Sequence, residues 1–362
     1  MRAAGAALLA LSLAACATPR YAPAPGPAGG PPPPFTPPGR PQPEPPPLRV
    51  IEVAQLPGWA ADNHAEAFAA FRATCQAAKE PAMAQVCRAA KASPLLSAQE
   101  ARRFFETRFR ALETPGEGVL TAYFAPEYPA RTQPDGTFSA PVRPKPADLV
   151  NGQPYAPRDE IEARPADDAI AWMRPEDLFF LQIQGSGVLT FEDGRRMKAL
   201  YAANNGQPFV GVANPMRDRG LLERDNTSGE AIRRWLADHR GPEADEIMRL
   251  NPRYAFFRLA PDDGKQPVGS AGVPLPPGRA IAVDLSHHAH GELHWITAEA
   301  PVLRGAFPSY RRLVTALDTG GAIKGEVRAD LYLGLGAEAG AEAGRVRHTL
   351  RMYRLMPRGA AP

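Results

Sequence analysis

The sequence predicts a mainly β protein led by a helical segment, and three observations predict it. In the C-terminal part, Leu331, Leu333 and Leu335 alternate with Asp330, Tyr332 and Gly334, and period-two alternation separates the two faces of a strand. Between Glu127 and Arg258, short apolar runs are broken by Pro, Gly and Asn, the pattern of an all-β module. From Ile51 to Glu113 the period changes. Phe68, Phe71 and Cys75 recur at helix spacing, and Ser97 with Glu100 forms a capping box ahead of Ala101, Phe104, Phe105 and Leu112. A chain of 362 residues can bury one large core or two medium ones. Its net charge of +3 argues against a dedicated nucleic-acid binder and is compatible with an acidic polymer.

The N-terminus reads as a secretion signal. Met1-Arg2 is a short basic region, Ala6 to Leu13 is an apolar run too short to span a bilayer, and Leu-Ala-Ala-Cys ends at Cys16. This matches a bacterial lipoprotein cleavage site, so residues 1–15 are expected to be removed and Cys16 to be acylated, with the non-acidic Ala17 directing the protein to the outer membrane. Residues 16–50 are mostly Pro, Gly and Ala, which form an extended tether rather than a core. Cys75 and Cys87 remain as an even pair in an oxidising compartment, which points to a disulfide ahead of a metal or catalytic site.

The next run, GVLTAYFAPEYPA from Gly118, reads as a strand with Thr121 and Tyr123 on one face and Pro126 ending it. In DLFFLQIQGSGVLTFEDGRRM, two strands are expected to flank Gly185-Ser186-Gly187. Gln182 and Gln184 would then share a face opposite Leu181 and Ile183. Amides on one surface suit sugar hydroxyls and N-acetyl groups because they both donate and accept. Farther on, the β-prone run from Arg311 to Leu317 delivers Asp318 to its end, Gly320-Gly321 makes a tight turn, and Asp330 is left beside Tyr332 on the polar face. An acid beside an aromatic ring is what a sugar-binding groove needs, although an ordinary turn with two solvated aspartates reads the same way. His287, His288, His290 and His294 crowd eight positions, and His290 with His294 would share a face if helical. The segment is interrupted by Gly291 and lacks an HExxH pattern, so it reads as a loop without metal.

The string DTGGAIKG, followed by an aspartate, an aromatic residue and a glycine-punctuated tail, resembles the C-terminal barrel of the membrane-bound lytic transglycosylase A family. That region is named for three aspartates, which match Asp318, Asp330 and Asp284 in AIAVD. After Asp284 the family's I-P-L-G-T stretch is replaced by LSHHAHGELHW, while Gly291 and Trp295 keep the register. Thr121 and Tyr123 are retained in the family's G-x-L-T-G-Y-Y-x-P string, with Ala122 and Phe124 departing from it. The family's F-x-x-Q-x-Q-G-S-G string places Gln182, Gln184, Gly185 and Ser186 in a substrate groove, which Lys324 and Tyr332 are expected to join. Asn205-Gly206, Ser228 to Trp235 and Asn251-Pro252 fit the family spacing before the chain re-enters the barrel near Phe257.

The fold this implies is a double-psi β-barrel split by an inserted β-rich second domain, with N-terminal helices. Its boundaries are expected at 51–126 for the helices and first barrel part, 127–258 for the insert, and 259–357 for the main barrel. The implied activity is lytic cleavage of the β-1,4 bond between N-acetylmuramic acid and N-acetylglucosamine with a 1,6-anhydro product. Asp330 would be the single acid/base, supported by Asp318 and Asp284, with no cofactor. The implied partners are peptidoglycan glycan strands and outer-membrane lipid through acylated Cys16, with any cell-wall synthase partner unnamed. A non-catalytic wall-binding lipoprotein and a hydrolytic muramidase are the alternatives, because fold does not fix function.

Overall fold

The computed structural model describes residues 49–223, 226–300 and 309–360. The expected signal peptide, Cys16 and most of the expected tether lie outside the described residues. After a short strand β1 (Val50–Ile51) come three helices, α1 (His64–Thr74), α2 (Pro81–Ala92) and α3 (Ala98–Arg108). Each starts where its sequence supplies a cap. Asn63 accepts from the Glu66 amide, Glu80 accepts from the Ala82 and Met83 amides ahead of Pro81, and Ser97 and Glu100 complete the capping box. Cys75 and Cys87 are joined by a disulfide that links the end of α1 to α2. The helix stops sooner than the spacing of Leu112 predicts, since Phe109–Glu113 forms β2.

Strand β3 (Gly118–Ala125) ends before Pro126 and leads into a second lobe. Its elements are β4 (Glu127–Pro129), β5 (Ala140–Val142), α4 (Arg158–Glu162), β6 (Ala171–Met173), α5 (Pro175–Gln184), β7 (Ser186–Thr190) and β8 (Arg196–Asn204). After these come α6 (Ala213–Asp218), α7 (Gly229–Asp238), α8 (Pro242–Arg249) and β9 (Ala255–Pro261). Strands β4, β7, β8 and β9 form one sheet and β5 with β6 a second. Five helices in this segment correct the all-β reading. The clearest case is the run containing Gln182 and Gln184, which is helix α5 and not a strand. Pro175 stands at its first turn with Glu176 and Asp177, and Gly185 closes it in the left-handed region at φ +83°. Asp177 and Glu176 are buried against Arg233 and Arg240, which ties α5 to α7 and the segment after it.

The chain returns to the first lobe with β10 (Ala280–Ala282), β11 (Leu293–Glu299), β12 (Ser309–Asp318), β13 (Arg328–Leu335), α9 (Gly336–Ala343) and β14 (Arg347–Pro357). The re-entry is later than the expected position near Phe257, because β9 belongs to the smaller sheet. Strand order β14-β11-β12-β10-β13-β3, with β3 pairing back to β14, closes a six-stranded ring, and β1 and β2 extend it alongside β14. Closure removes the sheet edges within the ring. Leu120, Ile281, Val314, Leu331 and Met352 are among the residues that fill it. The helices pack Phe68, Phe71 and Phe105 against Trp295 and Leu355 on another face of the sheet. The fold is therefore mainly β, a closed barrel with N-terminal helices and an inserted lobe of mixed composition.

One ion pair anchors the start of β10 to the helical segment. Arg279 donates to both oxygens of Asp62 at 2.8 Å, and both side chains are 4% exposed. Asp62 also accepts from the Leu313 amide of β12. Removing one member of a buried pair strands the other charge, which costs roughly 3–5 kcal/mol. Denaturant unfolding of Arg279→Met is therefore expected to show a loss of that size; a change within experimental error would contradict the anchoring role.

Candidate active site

The short strand β10 lies between β12, to which it is parallel, and β13, to which it is antiparallel. In this register Ala282 opposes Asp318 on one side and Asp330 on the other. Adjacent strands lie about 4.8 Å apart, so the two aspartate backbones are separated by roughly 10 Å. The small Ala282 side chain between them leaves a hollow. On the far side of β13, β3 runs parallel and pairs Thr121 with Asp330 and Tyr123 with Tyr332. A cleft of about 300 Å³ opens here, lined from the barrel by Thr121, Tyr123, Asp318 and Asp330, and from the second lobe by Gln182, Gln184 and Arg253.

Asp330 accepts a hydrogen bond from the Thr121 hydroxyl, which in turn accepts from Arg328 Nη2 at 2.9 Å. Burial raises the Asp330 carboxyl above its ordinary value. The Thr121 hydrogen bond and the Arg328 charge pull it down, and the Asp318 charge adds to the rise. Asp318 is differently placed. Its Oδ2 accepts from the Tyr123 hydroxyl at 2.8 Å, and its Oδ1 accepts from the Ser270 and Thr319 amides at 3.0 and 2.9 Å. It is thereby fixed in direction. Burial and the neighbouring Asp318 charge hold the Tyr123 phenol well above its ordinary value, so it remains a donor.

Of the sequence-predicted residues, the fold brings Thr121, Tyr123, Gln182, Gln184, Asp318 and Asp330 together at the cleft. The amides arrive by a different route from the expected strand face. They lie two apart on the last turn of α5, with Ile183 between them also exposed to the cleft. Gln184 accepts from the Phe124 amide of β3 at 3.3 Å, and Gln182 donates to the Ala255 carbonyl at 3.4 Å. Gln182 Oε1 is buried and accepts from no described residue.

Other expected residues stand elsewhere. Tyr332 shares a face with Asp330, but that face is covered at Tyr332. The ring is fully buried among Ala125, Leu275 and Leu317, and its hydroxyl donates to Gln266 Oε1 at 2.7 Å. Gly185 caps α5 and Ser186 begins β7, and neither lines the cleft. Lys324 is largely exposed, 3.7 Å from Asp284. Asp284 itself accepts from the Gly325 amide at 2.9 Å and from the Ser286 amide and hydroxyl. Those bonds hold its carboxyl well below the ordinary carboxylate range. It pins one loop to another instead of facing the cleft.

Three arginines were not singled out from the sequence. Arg328 lies two residues before Asp330 on β13, and that spacing puts both on one face. Arg253 follows the Asn251-Pro252 turn, and buried Arg158 donates to the Asn251 and Arg253 carbonyls at 2.9 and 2.7 Å, holding that turn against the cleft.

Two family models match this chain, the MltA specific insert domain over residues 119–258 and the 3D domain over residues 279–356. The membrane-bound lytic murein transglycosylase A of Vibrio cholerae is 33% identical over 254 residues, 66% of each chain, so the chain spans just under two thirds of that relative's length. A membrane-bound lytic murein transglycosylase from Agrobacterium tumefaciens is 33% identical with a TM-score of 0.74, over 85% of this chain and 98% of that one. The structure of Escherichia coli MltA with bound chitohexaose is 28% identical with a TM-score of 0.65, over 83% of this chain and 89% of that one. With the insert and the 3D domain matched in sequence order, and a 33% identical relative covered over 98% of its length, the chain belongs to the membrane-bound lytic murein transglycosylase A family.

Proposed function

We propose that this protein cleaves the β-1,4 bond between N-acetylmuramic acid and N-acetylglucosamine in peptidoglycan, with Asp330 as its single acid/base. The observation that carries the proposal is a half-buried carboxyl in the cleft between two lobes, raised in pKa by burial and hydrogen-bonded by Thr121. The likeness to a relative solved with chitohexaose supports a β-1,4-linked amino sugar as the ligand class.

The chemistry runs in two proton transfers. Protonated Asp330 donates to the glycosidic oxygen as the C1–O bond breaks, which releases the leaving sugar with a hydroxyl. The muramic acid's own C6 hydroxyl then attacks C1, and the carboxylate form of Asp330 takes its proton. Tethering of the nucleophile to the reacting ring replaces a positioned water. No water is consumed. The enzyme returns to its protonated state, and the product carries a 1,6-anhydro ring. Ordinary glycosidases generally need a second carboxylate. Here Asp318, already occupied by three donors, orients Tyr123 and supplies negative charge near Asp330. Gln182, Gln184 and Arg253 line the opposite wall and would bind sugar substituents there.

Among the described residues no helix is long and apolar enough to cross a membrane. We assign membrane association to Cys16, acylated after removal of residues 1–15, with the enzyme facing the periplasm from the outer membrane on its Pro-rich tether. Relatives named membrane-bound support the association.

Muropeptides released from purified sacculi provide the first test. Wild-type protein is expected to yield products one water lighter than hydrolysis gives, and Asp330→Asn to lose about 10²–10⁴ in rate. Reducing-end products would mean a hydrolase, and glycan binding without products a wall-binding protein. A pH–rate profile provides the second. Because the protonated form is the acid, activity falls as pH rises through the Asp330 pKa. Thr121→Val removes a hydrogen bond that favours the carboxylate form, so its alkaline limb should move to higher pH. A limb that moved down or stayed in place would contradict the assignment.

A further inference from the structure

Away from the cleft, the loop between β10 and β11 gathers His288, Glu292 and His294, and one donor atom from each lies within 4.8 Å of the other two. His288 Nδ1 and His294 Nε2 each stand 3.4 Å from the same oxygen, Glu292 Oε2. The two rings meet edge to face with centroids 4.9 Å apart. Both histidines are buried, and neither His294 Nε2 nor Glu292 Oε2 makes a hydrogen bond to a described residue. A buried polar atom without a partner costs about 1–3 kcal/mol, so these two atoms, which meet with His288 Nδ1 at one point, need a common partner.

The tautomer of His288 says what that partner is. Its Nε2 lies 2.7 Å from the Glu326 carbonyl, which can only accept, so Nε2 bears the hydrogen and the ring, when neutral, turns a lone pair on Nδ1 toward the cluster. A carbonyl behind an imidazole is the usual second support of a metal-bound histidine. Glu292 Oε1 faces Arg354 Nη1 at 3.4 Å, which leaves Oε2 for the imidazoles. Zinc bonds of about 2.0–2.1 Å in a tetrahedral site put ligand atoms roughly 3.3–3.4 Å apart. The two separations from Glu292 Oε2 match that spacing, and the third, between the two imidazole nitrogens, is within 4.8 Å.

We propose that His288 Nδ1, Glu292 Oε2 and His294 Nε2 bind a zinc ion, with solvent in a fourth position. Two imidazoles and a carboxylate suit zinc better than magnesium or calcium, which prefer oxygen alone. The ion clamps a loop to the segment that leads into β13, since Glu326 supports His288 while the neighbouring Gly325 amide donates to Asp284. It also lies near where the chain crosses the helical segment. At Gly291, which takes φ +85°, an added Cβ would fall 2.2 Å from the Ala78 amide nitrogen. His290 takes no part, for its Nε2 pairs with Ser270 Oγ at 2.9 Å. None of the three ligands lines the cleft, so the site stands independently of the proposed reaction. A proton is the competing occupant. Burial lowers the His288 pKa, but the Glu292 carboxylate and the Glu326 carbonyl more than offset it.

The experiment uses the full chain, purified without a polyhistidine tag. Metal content is read by plasma mass spectrometry after dialysis against zinc, and thermal unfolding is followed in zinc, magnesium and EDTA. One zinc per chain is expected, with the unfolding midpoint raised by roughly 5 °C at about 100-fold excess over Kd and unmoved by magnesium. Glu292→Gln and His294→Gln should each lose the zinc while keeping the circular dichroism of the parent. No retained zinc, with the same midpoint in zinc and in EDTA, would overturn the proposal in favour of a proton. Zinc retained by both variants would overturn the choice of ligands.

Discussion

The site depends on a strand of three residues. β10 is hydrogen-bonded on both sides, so Ala282 fixes where Asp318 and Asp330 stand relative to each other. A slip of one residue on either side would turn one aspartate to the opposite face, because side chains alternate along a strand. The surroundings hold that register from several directions. Ile281 and Val283 are buried in the barrel interior, and Arg279 is locked by Asp62. β13 is held from its other side by β3, which brings Thr121 to Asp330.

The two aspartates differ because their neighbours do. Asp318 meets two backbone amides and a phenol at the end of its strand, and these leave it oriented but occupied. Asp330, inside β13, has its backbone groups committed to the sheet and one hydroxyl at its carboxyl, while burial disfavours its charged form. A carboxyl that keeps its proton more readily is the one suited to donate it. The inserted lobe contributes the opposite wall, where the amides at the end of α5 and the turn held by Arg158 face the barrel.

How much of this the sequence revealed depended on whether the signal was local. The capping box at Ser97, the strand ending at Asp318 and the stop at Pro126 are short-range features, and all three appear where the residues indicate. Helix α5 is concealed in the sequence because LQIQ alternates like a strand over four residues. Pro175, the acids after it and Gly185 were the competing start and stop signals, and they prevailed. Tyr332 departs from its expected place for another reason. Period two correctly gave its face, but not that a second small core of Leu275, Leu317 and Ala125 covers part of that face. The lobe helices α7 and α8 and the pairing of β10 between β12 and β13 rest on long-range contacts that no local pattern specifies.

Burial in the fold makes Asp330 hold its proton more firmly than an ordinary aspartate would. Carbon-13 NMR of carboxyl-labelled aspartate in the wild-type protein, with the resonance assigned by its loss in Asp330→Asn, reads that property directly. Titration above the ordinary aspartate value of 3.8 is expected. Titration at or below that value would overturn the role of Asp330 as the acid.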